Sequence, residues 1–276
     1  MNCIIIRYGE LSLKGKNRIF FEKRLIKNIK SCLDVNKHPY KDIDRLRNRI
    51  VIKTGKDCAF LVNVFGIVSF SPAISTQPTV EAIKEAVATL PINQKKFRVS
   101  TKRLHKDFPL TSMELDRKIG EFVINSKNCE VSLEKYDVEI GIEILKDSAF
   151  VFTQRIPCLG GLPLGVSGVA VSLIQDASDL VASWLMMKRG VLIYPVSQGN
   201  PDISILRKYC YGYQMSLHKS NTLQDIQSYM NSLDAKALVV GQTLKNFAGL
   251  QTDRLVLRPL IGYDQNQIKE LYDKIK

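Results

Sequence analysis

Apolar positions recur along this chain with two alternating periods, and their order divides its 276 residues into three stretches. Ile4 to Arg7 reads as a short strand, and from Asn17 the period turns helical. At about 100° per residue, Phe21, Leu25, Ile29 and Leu33 gather on one side, while Lys16, Lys23, Lys27 and Lys30 fall on the other. Arg45 to Lys53 reads as a strand, and Ala59 to Ile67 as a helix ending at the Phe65-Gly66-Ile67 turn. A strand-helix-strand-helix-strand order of this size predicts a small ferredoxin-like α+β domain over 1–75. The two prolines in Ser71 to Pro78 mark a linker after it.

A second stretch, 76–165, opens with a helix at Thr79 to Leu90. It continues into a strand whose Phe97, Val99 and Thr101 point one way and whose Arg98, Ser100 and Lys102 point the other. Thr111-Ser-Met-Glu114 fits a capping box, so the helix it opens presents its N-terminus beside that basic strand, a seat for phosphate. Val138, Ile140, Ile142 and Ile144 alternate with polar residues, and a Lys146-Asp147 turn returns the chain along Ala149 to Thr153 as a hairpin.

From 166 to 276 the rhythm changes to strands alternating with helices, which predicts a doubly wound α/β sheet. The strands are Val169 to Ile174, Val191 to Val196, Met215 to Leu217 and Ala235 to Val240; helices are expected near 178–189, 202–211 and 222–233. Asp264-Gln-Asn-Gln267 can cap a last helix running to Lys276.

Charge sharpens the picture. The chain carries +13, and residues 1–110 hold 22 Lys and Arg against 9 Asp and Glu, so the basic excess sits in the first stretches. That concentration points to a polyanion, nucleic acid before membrane, because no helix here pairs its cations with an exposed aromatic face. No run approaches about 18 apolar residues and no leader pattern opens the chain, so a cytoplasmic protein is expected. Six scattered cysteines without a C-x-x-C pair and three distant histidines suggest neither a disulfide framework nor a metal site.

The turn between Ile174 and the helix after it is built like a nucleotide loop but carries aspartates in place of glycines. A pyrophosphate cradle needs backbone N–H groups free to close on the anion at a helix N-terminus. Gln175, Asp176, Ala177, Ser178 and Asp179 offer neither flexibility nor attraction. At about 5 Å and an effective dielectric near 20, each aspartate opposes a phosphate charge by roughly 3 kcal/mol, on the order of a hundredfold in affinity. Asp176 and Ser178 also read simply as helix caps, with a carboxylate site for Mg²⁺ as the other reading.

These segments form a set. Tyr8-Gly-Glu-Leu-Ser-Leu-Lys-Gly-Lys-Asn17 with Phe21-Glu22, the Phe97 to Pro109 stretch with Ser112 and Glu114, Gly160-Gly-Leu-Pro-Leu-Gly165, Leu185-Met-Met-Lys-Arg-Gly190 and Arg258-Pro-Leu-Ile-Gly-Tyr-Asp264 resemble the tRNA 4-thiouridine synthetase family, ThiI. The resemblance implies ferredoxin-like and THUMP domains that together bind tRNA, followed by an ATP-pyrophosphatase (PP-loop) domain. In the family that last domain's motif is Ser-Gly-Gly-x-Asp-Ser. Here Gln175 to Leu180 stands in its place, one residue shorter, and Val240-Gly-Gln242 replaces a Thr-Gly followed by an acid. The family's sulfur-carrying cysteine lies beyond the segment that ends at Lys276, which leaves Cys158 and Cys210 open to a sulfur role.

The expectation is a tRNA-binding protein whose degenerate PP-loop-type domain keeps the fold and has lost adenylation and sulfur transfer, with no cofactor. Its phosphate contacts are Lys14, Lys16, Lys23 and Lys27 on the first helix and its approach, and Arg98, Lys102, Arg103 and Lys106 on the THUMP strand and loop. The alternative is an active tRNA sulfurtransferase that uses ATP and Mg²⁺ in an atypical site or draws on a partner subunit or sulfur donor. A third reading is a scaffold for another tRNA-modification enzyme, through the apolar Trp184 to Met187 segment, whose spacing equally suits core. Monomer and homodimer both remain open.

Overall fold

A computed structural model of the chain describes residues 1–93, 96–250 and 252–276. In chain order the elements are β1 (Cys3–Arg7), α1 (Arg18–Val35), β2 (Asp42–Leu46), β3 (Arg49–Lys53), β4 (Ser69–Thr76), α2 (Val80–Ala88), β5 (Lys96–Arg103), α3 (Ser112–Lys127), β6 (Glu130–Val131), β7 (Val138–Ile144), β8 (Ala149–Phe152) and β9 (Ile156–Pro157). There follow β10 (Val169–Leu173), α4 (Ala177–Lys188), β11 (Leu192–Ser197), α5 (Ser204–Arg207), β12 (His218–Lys219), α6 (Leu223–Ser232), β13 (Ala237–Val239), β14 (Leu255–Leu257) and α7 (Gln265–Ile275). Two compact units result: one of Met1–Arg7, His38–Ala59 and Ser69–Pro157, the other of Tyr8–Lys37, Phe60–Val68 and Cys158–Lys276.

The first unit is built on one sheet in the order β2-β3-β1-β4-β8-β7-β5-β6, with β9 also on β4. One face is covered by α2 and α3, whose Ile83, Val87, Leu115, Ile119 and Val123 pack on Phe97, Ile140, Ile142 and Ile144. Thr79 and Thr111 cap the two helices, the latter through the expected capping box with Glu114. On the other face Ile5, Val51, Ala73, Phe150 and Phe152 form a second core. Each fully buried Val, Leu, Ile or Phe here is worth about 1.5–3 kcal/mol.

That second face closes on itself. Arg49 on β3 and Glu143 on β7 lie four strand spacings apart, roughly 19 Å in a flat sheet at about 4.8 Å per step. Yet Arg49 Nε donates to Glu143 Oε2 at 2.6 Å and Arg7 Nε donates to Oε1 at 2.7 Å. The sheet must therefore curl until its two halves meet across this carboxylate, which is 1% exposed. Gly141 allows the ring of Phe152 to lie over β7, since a Cβ there would stand 2.2 Å from that ring. Burial would push the Glu143 carboxyl up, but the Arg49 hydrogen bond and the charges of Arg7 and Arg49 outweigh it and hold the group below its ordinary range.

Three expectations are corrected here. Arg45 to Lys53 is a hairpin, β2 and β3, because Asn48 turns left-handed at φ 62° and pairs Leu46 with Arg49. Ala59–Asn63 is a single 3-10 turn where a longer helix was expected. The predicted linker is the strand β4, pairing β1 through residues 69–73 and β8 through 74–76. Pro72 is tolerated because alternation decides where its missing N–H would point. Ala73 offers its carbonyl to Asn2 on the β1 side, so Pro72 faces the opposite edge, in the gap between the residues paired with β9 and those paired with β8.

In the second unit five parallel strands run in the order β12-β11-β10-β13-β14. Helices α4 and α7 bury Val181, Trp184, Met187, Ile268 and Ile275 with Ala170, Ile193 and Val239, while Ile226 and Met230 of α6 pack with Val171, Val196 and Leu238. This is the doubly wound arrangement expected. Trp184 is core, edge-on to Phe65 with centroids 5.8 Å apart, and Phe65 stacks on Tyr209 at 5.4 Å. Within the same unit Asn28 of α1 donates to the Leu164 carbonyl, and Ser31 accepts from the Gly212 N–H. The helix expected over 202–211 is only Ser204–Arg207, because Tyr209 and Tyr211 turn inward and Gly212 is left-handed at φ 89°. The third strand lies at His218–Lys219, later than expected, and β14, Leu255–Leu257, is a fifth strand beyond the four expected.

Replacing Glu143 with Gln leaves two buried guanidiniums without their counter-charge. A loss of about 3–5 kcal/mol is expected, measurable by urea unfolding. Because the folded carboxyl sits below the ordinary glutamate value of 4.5, its contribution is complete above that pH and drains away as pH falls further. Wild-type stability should therefore drop through the acid range more steeply than that of Glu143→Gln.

Candidate functional site

In the second unit the crossover from β10 to α4 lies where the strand order reverses, at the carboxyl ends of β10 and β13. Asp176 is the N-cap of α4, its Oδ1 accepting from Ser178 N at 2.7 Å and Asp179 N at 3.3 Å. Asp179, 7% exposed, completes the reciprocal box and goes further. Its Oδ2 accepts from Gln175 N at 2.8 Å and Asp176 N at 3.2 Å, and its Oδ1 accepts from Gly241 N at 2.6 Å. Burial pushes the Asp179 carboxyl up even though these N–H groups favour its charged form. Gln175, Asp176 and Ala177 are exposed and Ser178 is half-buried.

Gly241 makes this closure sterically feasible: a Cβ there would stand 2.6 Å from Asp179 N. The cavity beside the loop holds about 840 Å³. Its described lining includes Asp176, Asp179, Gln198, Asn200, Ser220 and Gln242, and it contains no lysine, arginine or histidine. The turn that Gln175 to Asp179 builds is thus a carboxylate held in a ring of backbone donors.

The eight cations singled out from the sequence fall into two groups, each within one unit. In the second unit Lys16, Lys23 and Lys27 are exposed, and half-buried Lys14 lies over the Phe21 ring at 5.2 Å. Phe20, 53% exposed, lies three and seven residues before Lys23 and Lys27, so a bare aromatic ring shares their helix face. This corrects the expectation that no helix sets an exposed aromatic beside its cations: Phe20 sits next to Phe21, which reads as core.

In the first unit Lys102 and Lys106 are exposed. The other two are tied down. Arg98 donates through Nε and Nη2 to Glu139 and stacks on Tyr136 at 4.0 Å, while Arg103 donates to the carbonyls of Leu110, at 2.8 Å, and Phe108, at 3.3 Å. The start of α3 is also taken: Glu114 accepts from Thr111 N, which sets a negative charge where a phosphate seat was expected. The arginines around Glu143 were missed, because a glutamate alternating with isoleucines reads as a solvent face.

Cys158 and Cys210 are half-buried. Burial pushes the Cys210 thiol up to about 12, so it is held as a thiol, its Sγ against the Leu206 carbonyl. Among the described residues no group of three or more His, Cys, Asp or Glu is placed to hold a metal ion. No helix among them is long and apolar enough to cross a membrane.

Residues 3–71 match the ThiI ferredoxin-like domain and residues 78–154 the THUMP domain. A probable tRNA sulfurtransferase of Thermococcus kodakarensis is 31% identical, over 99% of this chain and 87% of its own length. The chain belongs to the ThiI tRNA sulfurtransferase family. Among solved structures, PH1313 from Pyrococcus horikoshii Ot3 superposes with a TM-score of 0.89 at 33% identity, covering 100% of this chain and 99% of that one. A 4-thiouridine synthetase solved as an RNA complex with bound ATP gives a TM-score of 0.83 at 26% identity, covering 100% of this chain and 85% of that one. The match to the Thermococcus relative runs over 333 positions against 276 residues here, so at least 57 positions of that ThiI relative have no counterpart in this chain.

The closure at Gly241 predicts its own sensitivity. Gly241→Ala should cost about 1–3 kcal/mol through the clash with the first turn of α4, whereas Gly249→Ala, with open space around it, should be near neutral. Thermal unfolding of the two variants checks this.

Proposed function

We propose that this member of the ThiI family binds tRNA through its N-terminal and THUMP residues and does not carry out adenylation. The observation that carries the second half is the Asp179 carboxylate, which takes the N–H groups of Gln175, Asp176 and Gly241. Those donors are what a nucleotide loop turns toward phosphate. A carboxylate already among them fills the anion position and repels a second anion, and the cavity supplies no cationic side chain to offset it. The residues at this turn do not fit a triphosphate.

The first half rests on the THUMP and ThiI ferredoxin-like matches and on the RNA held by the similar synthetase. Lys16, Lys23 and Lys27 with Phe20 offer backbone neutralisation beside a stacking ring, and Lys102 and Lys106 offer a second set. Lys14, Arg98 and Arg103, engaged with protein groups, act mainly by shaping those surfaces. Divisions near residues 75 and 165 separate the ferredoxin-like, THUMP and degenerate PP-loop-type parts on this reading.

A second reading, tRNA sulfurtransferase activity, is favoured by the names of relatives 31% and 33% identical over 99% of the chain. On that reading a partner subunit supplies the activated nucleotide.

Titration of tRNA against salt tests the binding claim. Log affinity should fall with log salt by roughly 0.7–0.9 per phosphate neutralised. The double variants Lys23→Glu/Lys27→Glu and Lys102→Glu/Lys106→Glu should each weaken binding at least about tenfold and flatten that slope, with unfolding unchanged. A salt-independent affinity would reject it. For the chemistry, calorimetry with ATP and Mg²⁺ should give no binding heat, and tRNA incubated with ATP and a persulfide donor should release no pyrophosphate. Turnover that appears only on adding a second protein would favour the sulfurtransferase reading.

A further inference from the structure

Glu143 faces more positive charge than it can neutralise. Arg7 and Arg49 occupy its two oxygens, and the Arg155 guanidinium stands 3.7 Å from Oε1. Three cations thus share one carboxylate, an excess of two, and of the three Arg7 and Arg49 are each only 6% exposed. The excess is visible in the hydrogen bonding, since Arg7 Nη2 is buried with no hydrogen-bond partner among the described residues. Burial pulls the Arg7 guanidinium down, and the charges of Arg155 and Arg49 add to it against the pull of Glu143. Arg7 is otherwise engaged, Nε with Glu143 and Nη1 with Ser71 Oγ at 3.0 Å, but excess buried positive charge with a donor left over is costly, and a further anion would relieve it.

The cluster has an outlet. The Arg155 side chain is 51% exposed, and the guanidiniums of Arg155 and Arg7 both lie near the Phe152 ring, 5.9 Å and 4.7 Å from its centroid. Lys102 is paired in register with Glu143, so its side chain leaves the same sheet face one strand away and is exposed. Glu139, the other carboxylate of β7, is occupied by Arg98. A tetrahedral anion is the chemistry such a forked, cation-rich, solvent-reaching cluster accepts.

We propose that Arg155, backed by Arg7 and Arg49 and flanked by Lys102, forms a phosphate site that takes a backbone phosphate of bound RNA. The RNA source rests on the tRNA-binding reading above; the phosphate site itself does not.

Arg155→Gln tests it without touching the two buried pairs of Glu143. With ionic strength fixed, replacing chloride by inorganic phosphate should raise the melting temperature of the wild type by a few degrees, leave Arg155→Gln unmoved, and raise Arg155→Lys by an intermediate amount. In tRNA titrations Arg155→Gln should lower the salt slope by about one phosphate equivalent, roughly 0.7–0.9. Equal phosphate stabilisation in wild type and Arg155→Gln, or none in either, overturns the site whether or not tRNA binds. Phosphate stabilisation lost in the variant with its RNA slope unchanged overturns the RNA assignment and leaves a free-phosphate site. Wild-type protein that ignores tRNA but keeps an Arg155-dependent phosphate response refutes the tRNA-binding reading alone.

Discussion

The first unit depends on one buried carboxylate. Glu143 is contacted by Arg7, Arg49 and Arg155, so one side chain of β7 is tied to β1, to β3 and to the residue before β9. Hydrophobic burial of Phe150, Phe152, Ile5 and Val51 drives the sheet to fold over, but burial is non-directional, and a slip of two residues would keep the same faces inward. The charge cluster is selective: a slip of one residue would move Glu143 to the α2 and α3 face and strand the guanidiniums. Gly141 and Phe152 complete the constraint, the missing Cβ of one making room for the ring of the other.

The second unit uses a carboxylate in the opposite sense. Asp179 is surrounded by backbone dipoles and no cation, so its charge is only partly offset and its carboxyl is shifted up, where that of Glu143 is shifted down. The same residue stiffens the crossover by joining β10, α4 and the end of β13 through three N–H donors. A loop that must open to admit a ligand gains nothing from such a clasp; one that only has to hold a fold together gains stability and loses adaptability.

Much of this was legible in the sequence, and the failures have identifiable causes. Periodicity located α1, α2, α3, α4, α6 and α7, because capping residues such as Thr79, Thr111, Asp176 and Asp264 announce helix starts locally. The Val138 to Phe152 hairpin was readable for the same reason: its turn and alternation are local. Errors arose where the deciding partner is remote. Pro72 looks like a breaker until its neighbours on both edges are known, and Glu143 looks solvated until three arginines converge on it. At the sites, identifying exposed lysines needed only helix geometry, whereas the occupation of Arg98 by Glu139 and of Arg103 by carbonyls needed a fold. The aspartates of the 175–179 turn were seen as repulsive from composition, but that Asp179 reaches Gly241, 62 residues on, was not visible.

The division of β4 between two neighbours carries a consequence for biosynthesis. One edge of β4 meets β1 as soon as residue 76 has emerged, but the other is covered only by β8 and β9, which end at Pro157. At about 5–20 residues per second, the ribosome leaves that edge bare for roughly 4–16 s. During that interval the nascent chain displays an unpaired strand carrying Phe70 and Ile74, the kind of template that recruits a neighbouring polypeptide. A chain broken off before residue 157 keeps that edge bare and is expected to aggregate more readily than one broken off after it.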